Sequence, residues 1–443
     1  MLTAVGIVLF VLGLLFSIAW HELGHLTFAK LFNVRVTQYM VGFGRTLFSR
    51  RRGETEYGLK AIPLGGYIRM VGMVPPSADK RRGRFGGPSS TAMGPAGMVR
   101  QIIEDSRAGD RAQVTELDDG RQFYQLHPFK RILVMLAGPL QNLVLAVVLF
   151  ILIVVGLGLP TAVPAVGTVS ECVLPATSTA KVCPDKETAA YQRTPAYTAG
   201  LQTGDKIVRF AGETITGWSR MRELIRASAG KTVALTYDRA GQLATVQVPI
   251  VANLLDVVDD SGAITGTTTG GFLGITAATE YQTQSVGSAF VLTGQFIGRA
   301  AHAVVMIPSR IPALWDSIFN GKKRDVNSPV GIVGAGVISG EILSSDTAAK
   351  DKIELFLQLL AGFNMSLFLL NLLPLLPLDG GHILGAVIEW VRRGWSKVRR
   401  KADPGPFDVA KLMPVAYVVA LLFIGLSILT FVADVVNPVK LFG

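Results

Sequence analysis

The chain has 443 residues, 49% hydrophobic and only 17% charged, a balance that agrees with a membrane protein. The formal net charge is +11, but the basic blocks, such as Arg50-Arg51-Arg52 and Lys80-Arg81-Arg82, have no aromatic or groove-reading motif beside them, so no nucleic-acid partner is expected.

Four apolar segments approach the ~20 residues needed to cross a bilayer: about 2–30, 131–158, 353–378 and 408–433. The first (domain 1–30) lacks the basic n-region of a secretory leader. At its end stands His21-Glu22-Leu23-Gly24-His25. On a helix His21 and His25 are four residues apart, project from one face and can share one metal ion. Glu22 lies beside them, placed to take a proton from a water activated there. Ionisable groups inside a membrane helix are unfavourable and functional by default.

The loop 31–130 has two parts. Alternation over about 55–70, with a turn at Pro63-Leu64-Gly65-Gly66, predicts a membrane-associated β-hairpin. The stretch 73–125 is rich in Gly, Pro, Ser and charge and is expected to be a flexible insertion. His127 is expected to cap or face solvent. In the second span, 131–158, Gly138 suits close helix packing, and Asn142 is a candidate for substrate contact.

The loop beyond it is predicted to hold a folded domain at 163–253 and a connector at 254–352. Thr194 to Val208, with the turn Gly204-Asp205 leading into an apolar strand, resembles the core of a PDZ domain. Around it, Val166–Val169 reads as a strand, 219–229 as a helix and 231–250 as a hairpin about Ala240-Gly241. PDZ folds bind extended peptides by strand addition, so a peptide ligand is a candidate partner; the alternative is a spacer. Cys172 and Cys183 fall in this loop, where a disulfide can persist; the alternative is two free thiols. Within the connector, 284–318 is apolar but interrupted by Gln295, Arg299 and His302, which predicts an interfacial amphipathic helix rather than a fifth span.

The third span, 353–378, ends in Asn371-Leu-Leu-Pro374-Leu-Leu-Pro377-Leu-Asp379-Gly380-Gly381. Asp379 is the only acid between Glu354 and Glu389, and it stands where prolines and glycines interrupt the helix. Irregular backbone at membrane depth is tolerated where it lines a wet cavity. Two His and one carboxylate leave Zn2+ a fourth position for water, the catalytic arrangement. His382 reads as a supporting or packing residue. A segment 379–407 and the span 408–433 complete the chain.

Residues 30–131 carry 18 Lys/Arg against 9 Asp/Glu, and 391–411 carry 7 against 2, whereas 159–352 are balanced at 17 against 16. The positive-inside bias puts the first and third loops in the cytoplasm, the long middle loop and both termini outside, and the basic blocks against anionic lipid. His21, His25 and Asp379 then all lie toward the cytoplasmic ends of their segments.

These motifs, with Gly42-Phe43-Gly44, Ile62-Pro63-Leu64-Gly65-Gly66-Tyr67, Ala137-Gly138-Pro139-Leu140-Gln141-Asn142 and Ser328-Pro329-Val330-Gly331-Ile332, resemble the site-2 protease family of intramembrane zinc metalloproteases, in order over most of the chain. The likeness is to the bacterial branch with one PDZ domain. One local departure is that Pro374 and Pro377 are three residues apart, where the family usually has two. The resemblance implies one zinc per chain held by His21, His25 and Asp379, with Glu22 as general base. It implies that the hairpin, including Gly65 and Gly66, presents an edge to substrate, and it makes Asn371 a candidate for binding substrate backbone or the oxyanion. It also implies a pre-trimmed single-span substrate, such as an anti-sigma factor, in the bacterial cell membrane. The expected fold is a polytopic α-helical membrane protein with four transmembrane helices, the β-hairpin and an extracytoplasmic α+β PDZ-like domain. The alternatives are a non-catalytic PDZ-bearing membrane scaffold, which would not require the intact His, Glu and Asp set, and a transporter, for which no inverted repeat is visible.

Overall fold

A computed structural model describes residues 1–76, 114–115, 118–174, 182–184, 186, 191–258, 264–325 and 328–440, with residues 63–64, 258 and 264–265 described by backbone alone. The insertion expected at 73–125 lies largely outside these residues. In chain order the elements are α1 (Leu2–Leu31), β1 (Val36–Arg52), β2 (Thr55–Met70), α2 (Pro128–Ile151, continued by a π-helical turn Leu152–Leu157) and β3 (Leu159–Val169). There follow α3 (Pro195–Thr198), β4 (Lys206–Phe210), β5 (Glu213–Thr214), α4 (Trp218–Ala227), β6 (Thr232–Arg239), β7 (Gln242–Pro249), β8 (Val251–Val258), β9 (Ile264–Phe272) and β10 (Ile275–Gln282). The last helices are α5 (Val286–Val305), α6 (Ile307–Phe319), α7 (Ile332–Ser344), α8 (Ala349–Asn371), α9 (Asp379–Val398) and α10 (Met413–Val436). The chain divides into two compact units, Met1–Gly156 with Ser285–Gly443, and Leu157–Gln284.

In the first unit α1 is the hub. Its buried residues recur every three or four positions, Gly6, Phe10, Leu14, Ser17, His21 and His25, while Leu9, Leu12 and Phe16 face outward. That stripe meets three neighbours through polar contacts: Ser339 Oγ of α7 donates to the Gly6 carbonyl at 2.8 Å, Asn364 Nδ2 of α8 to Ser17 Oγ at 2.9 Å, and Trp20 Nε1 to the Gln141 carbonyl of α2 at 3.0 Å. Four helices among the described residues are long and apolar enough to cross a membrane: Leu2–Leu31, Pro128–Leu157, Ala349–Asn371 and Val409–Val436. The segment expected to be one amphipathic helix at 284–318 is instead two, α5 and α6, bent by 65°, the break lying just before Pro308. The third apolar helix stops at Asn371 rather than near 378. Pro374 and Pro377 have no N–H to donate and crowd the preceding turn, so residues 372–378 run as tight turns instead.

The hairpin also differs from its expected form. Its reversal is at Gly53, whose φ of +62° suits glycine, and it joins β1 to β2; Pro63–Gly66 lies within β2. Both strands fold back on themselves. Residues 36–41 pair with 66–70 on one side and with 56–59 on the other, and 46–52 pair with 55–60. The segment 66–70 is therefore an edge, and it runs against α1, with Gly66 facing Ile18 and Glu22; the neighbouring Tyr39 Oη donates to the Ala19 carbonyl at 2.7 Å. Alternation within 55–70 was a true strand signal; the partner lay upstream.

The second unit is α+β. One sheet has the order β10-β3-β4-β6-β7, with β5 beside β4, and β8 and β9 form a separate pair. Its core is apolar, including Phe210, Leu235, Met221, Ile225, Ile250 and Leu273. The strands β8 to β10 extend this unit to Gln284, into the stretch expected to be connector. The reason is pairing: β10 closes on β3 from Ile275↔Val169 to Gln282↔Leu159, so the chain's exit from the unit is stitched to its entry. Cys172 and Cys183 are joined in a disulfide.

Candidate metal centre

The inward stripe of α1 ends in His21 and His25, and the turns at 372–378 deliver Asp379, the first residue of α9, to the same face. The two Nε2 atoms are 3.1 Å apart, and Asp379 Oδ2 lies 3.2 Å from that of His21 and 3.3 Å from that of His25. The three donor atoms fall within 4.8 Å of one another, so a single ion can reach all of them. The buried Oδ2 has the two ring nitrogens as its only near polar neighbours among the described residues. Lone pairs converging with no proton between them are unfavourable unless a cation joins them. The donor set therefore fits a divalent ion, and two imidazoles with one carboxylate leave a coordination position open on zinc.

The far sides of both rings are held. His25 Nδ1 is 2.8 Å from the Val134 carbonyl, which can only accept, so Nδ1 carries the proton and Nε2 presents its lone pair. His21 Nδ1 faces the amide of Asn142 at 3.1 Å. With Asn142 Nδ2 toward the ring, its buried Oδ1 is left unpartnered; a half-turn of the amide lets Oδ1 accept Nδ1–H and frees His21 Nε2. Asn142 was expected at the substrate. It is fully buried beside His21, contacts that ring, and also lines the cavity described below.

Gly138 has a sharper role than helix packing. A Cβ at that position would collide with Nε2 of His25, so only glycine leaves the ring room to stand between α1 and α2. On the opposite side, the Ile68 main chain hydrogen-bonds the Glu22 carboxylate, and Glu22 Cγ lies 3.0 Å from where a Gly66 side chain would begin. Glu22 is thus wedged between the histidines and the edge segment 66–70.

One cavity of about 400 Å³ gathers the sequence candidates: His21, Glu22, His25, Asp379, Asn371, Asn142, Gly65 and Gly66 all line it. His382 lines it too, outside the group of three donors. His127 caps α2, accepting from the Phe129 N–H at 3.3 Å. Cys172 and Cys183 belong to the second unit. Sequence reading missed the Val134 carbonyl and the Ile68 N–H, which no side-chain pattern announces, since every residue but proline has both groups.

Residues 9–403 match the family model of Peptidase family M50, a span that includes both histidines and Asp379. The zinc metalloprotease Rip1 of Mycobacterium tuberculosis strain H37Rv is 34% identical over 450 residues, covering all of both chains. Rip1 of Mycolicibacterium smegmatis is 32% identical, again across all of both chains. The zinc metalloprotease RasP of Geobacillus kaustophilus is 26% identical over 84% of this chain and 86% of its own. With its apolar helices, its convergent imidazole and carboxylate donors and this match along most of its length, the chain belongs to peptidase family M50, the site-2 type of membrane zinc metalloprotease.

Proposed function

We propose that the protein hydrolyses a peptide bond within or near the transmembrane segment of a single-span membrane protein already trimmed outside, an anti-sigma factor being the candidate substrate. The observation that carries this reading is the buried Asp379 Oδ2 facing two imidazole nitrogens, with Glu22 alongside and a strand edge against Glu22. His21, His25 and Asp379 are the ligands of one zinc ion, which when bound supplies a Lewis acid for the scissile carbonyl and for water. Glu22 takes the proton of the attacking water and returns it to the leaving amine. Val134 and Asn142 fix the imidazoles so that their Nε2 lone pairs are already aimed.

A transmembrane helix hides each scissile carbonyl in its own hydrogen bonds, so cleavage requires local unwinding. The edge 66–70 can pair with the freed backbone, which holds the bond beside Glu22. Asn371, at the end of α8 on the same cavity, is placed to bind substrate backbone or the oxyanion. We assign the second unit as a PDZ-type module outside the cell: its sheet ends in β10, led in by Gly271-Phe272-Leu273-Gly274, an edge on which an extended peptide can add. The charge asymmetry supports the first and third loops, and the metal centre, lying toward the cytoplasm of a bacterial cell.

The test is cleavage of a model single-span substrate by wild type and Glu22→Gln, with zinc measured in both. Glu22→Gln is expected to lower turnover about 10²–10⁴-fold with one zinc retained. Folded wild type that neither cuts nor holds metal would make the chain a non-catalytic scaffold.

A further inference from the structure

α9 has a small and charged inward face and an apolar outward face, and it carries a cluster of exposed cations at its C-terminal end. Gly381, Gly385, Ala386 and Glu389 are buried, and Glu389 pairs with the buried Arg131 of α2 and with Arg393 at 3.0 Å. A Cβ at Gly385 would meet the Phe407 ring at 3.2 Å, so the helix is locked in rotation from two sides. At 100° per residue the opposite face carries Leu384, Val387, Val391, Trp395 and Val398, exposed by 37%, 37%, 65%, 58% and 79%. Trp390 stands at one border of this stripe, half exposed.

The charges around the stripe share one sign. Arg392 and Arg399 flank one side and Lys397 the other, all exposed, and Arg400 and Lys401 follow directly. The only acids from 379 to 401 are Asp379 and Glu389, one in the metal centre and one buried against Arg131. The Arg399 guanidinium rests over the Trp395 ring, 4.4 Å from its centre, presenting its charge at the rim of the apolar face. An apolar stripe with tryptophan, bordered by cations alone, complements a surface that is apolar beneath and anionic above.

We propose that α9 lies along the bilayer surface and docks on anionic lipid headgroups, and that this contact holds Asp379 in the metal centre. The helix is about 30 Å long and begins at the ligand itself, so its tilt at the membrane moves Asp379 against His21 and His25. Headgroups bound along Arg392, Lys397 and Arg399 fix that tilt. The metal-holding part of this inference rests on the reading of His21, His25 and Asp379 as zinc ligands; the lipid docking does not.

The experiment uses the full chain reconstituted in phosphatidylcholine alone or with phosphatidylglycerol. Two signals are read: quenching of tryptophan fluorescence by lipids brominated on their chains, and the chelator concentration that strips half the zinc. The share of quenching due to α9 is the part lost in Trp390→Phe/Trp395→Phe. Wild type is expected to be quenched more by brominated phosphatidylglycerol than by brominated phosphatidylcholine, and to hold zinc against about five-fold more chelator when the anionic lipid is present. Arg392→Gln/Lys397→Gln/Arg399→Gln should erase both differences and leave zinc retention in pure phosphatidylcholine unchanged. Equal quenching by the two lipids overturns the headgroup assignment, and no quenching of Trp390 and Trp395 by either shows that protein, such as a second copy, covers the face. Headgroup-selective quenching with zinc retention indifferent to lipid overturns the link to Asp379. Folded wild type without zinc in any lipid overturns the ligand assignment, while the quenching still reports on docking.

Discussion

The two compact units are built on opposite plans. The unit Leu157–Gln284 buries Phe210, Leu235 and Ile250 and exposes the Arg220 ion pairs with Glu213 and Glu223. The unit of membrane helices buries His21, Asn142, Asn364, Arg131, Glu389, Arg324 and Asp434 and turns Leu12, Phe16, Val418 and Leu422 outward. In water, burial of apolar area drives packing; against lipid it drives nothing, and directional polar contacts and small residues set which helices meet. Two of the contacts between these helices, Asn142 with His21 and the Val134 carbonyl with His25, also orient the imidazoles that face Asp379. Chemistry and helix assembly share residues in one unit and are separate in the other.

Four substitutions test that contrast. The largest effect is expected from Gly138→Ala, whose methyl would occupy the position of the His25 ring nitrogen. Zinc should fall well below one per chain and cleavage should be abolished with the helices intact, as measured by metal analysis and circular dichroism. A variant with full zinc and turnover would mean that α1 and α2 are not held as closely as the carbonyl contact at Val134 requires.

Next comes the buried pair between Arg131 and Glu389. Removing one partner of a fully stranded buried pair costs about 3–5 kcal/mol; because Glu389 keeps Arg393 at 3.0 Å, Arg131→Met should lower stability in detergent unfolding by less than that, and Arg131→Met/Glu389→Leu should recover part of it. If the double variant is as weak as the single one, the polar contact itself, not the stranded charge, holds α9 to α2.

Phe210→Ala, in the apolar core of the other unit, is expected to cost about 3–5 kcal/mol. Here the outcome should be confined: the melting step of the α+β unit moves, and zinc content does not. Loss of zinc in this variant would show that the two plans are energetically coupled.

The smallest effect concerns pH. Burial alone would raise the Asp205 carboxyl, but Arg239, at 2.7 Å, and the Gln202 N–H, at 2.8 Å, together hold it below the usual carboxylate range. A lowered folded-state value means that this stabilisation is present above the ordinary carboxylate range and disappears as pH falls through the lowered one. Asp205→Asn should therefore lower the stability of the α+β unit above the ordinary carboxylate range, change it little at low pH, and so flatten the acid limb of its stability curve. An unchanged acid limb would assign that sensitivity to other carboxylates.

What could be read from the sequence follows from short-range geometry. His21 and His25 are four apart on one helix, so their shared face needed no tertiary information, and an acid among prolines at the end of an apolar run marked Asp379. Apolar length marked the four long helices in the same way. Other readings needed the folded chain. The hairpin was misplaced because alternation reveals that a strand exists, not which segment it pairs with; 66–70 chose 36–41, across a turn at Gly53. The contact of Asn142 with His21 was not legible because the two are 121 residues apart in sequence. Likewise β10 was assigned to a connector because its partner β3 lies on the far side of the whole α+β unit. The shared face of His21 and His25 and the apolar spans follow from residues close together in the chain, whereas the approach of Asp379 to the two imidazoles is a long-range contact. Which carbonyl orients His25, which glycine clears its ring and which strand edge meets Glu22 became visible in the folded chain, because the partner in each contact is a backbone group or a glycine distant in sequence, with no side-chain signature of its own.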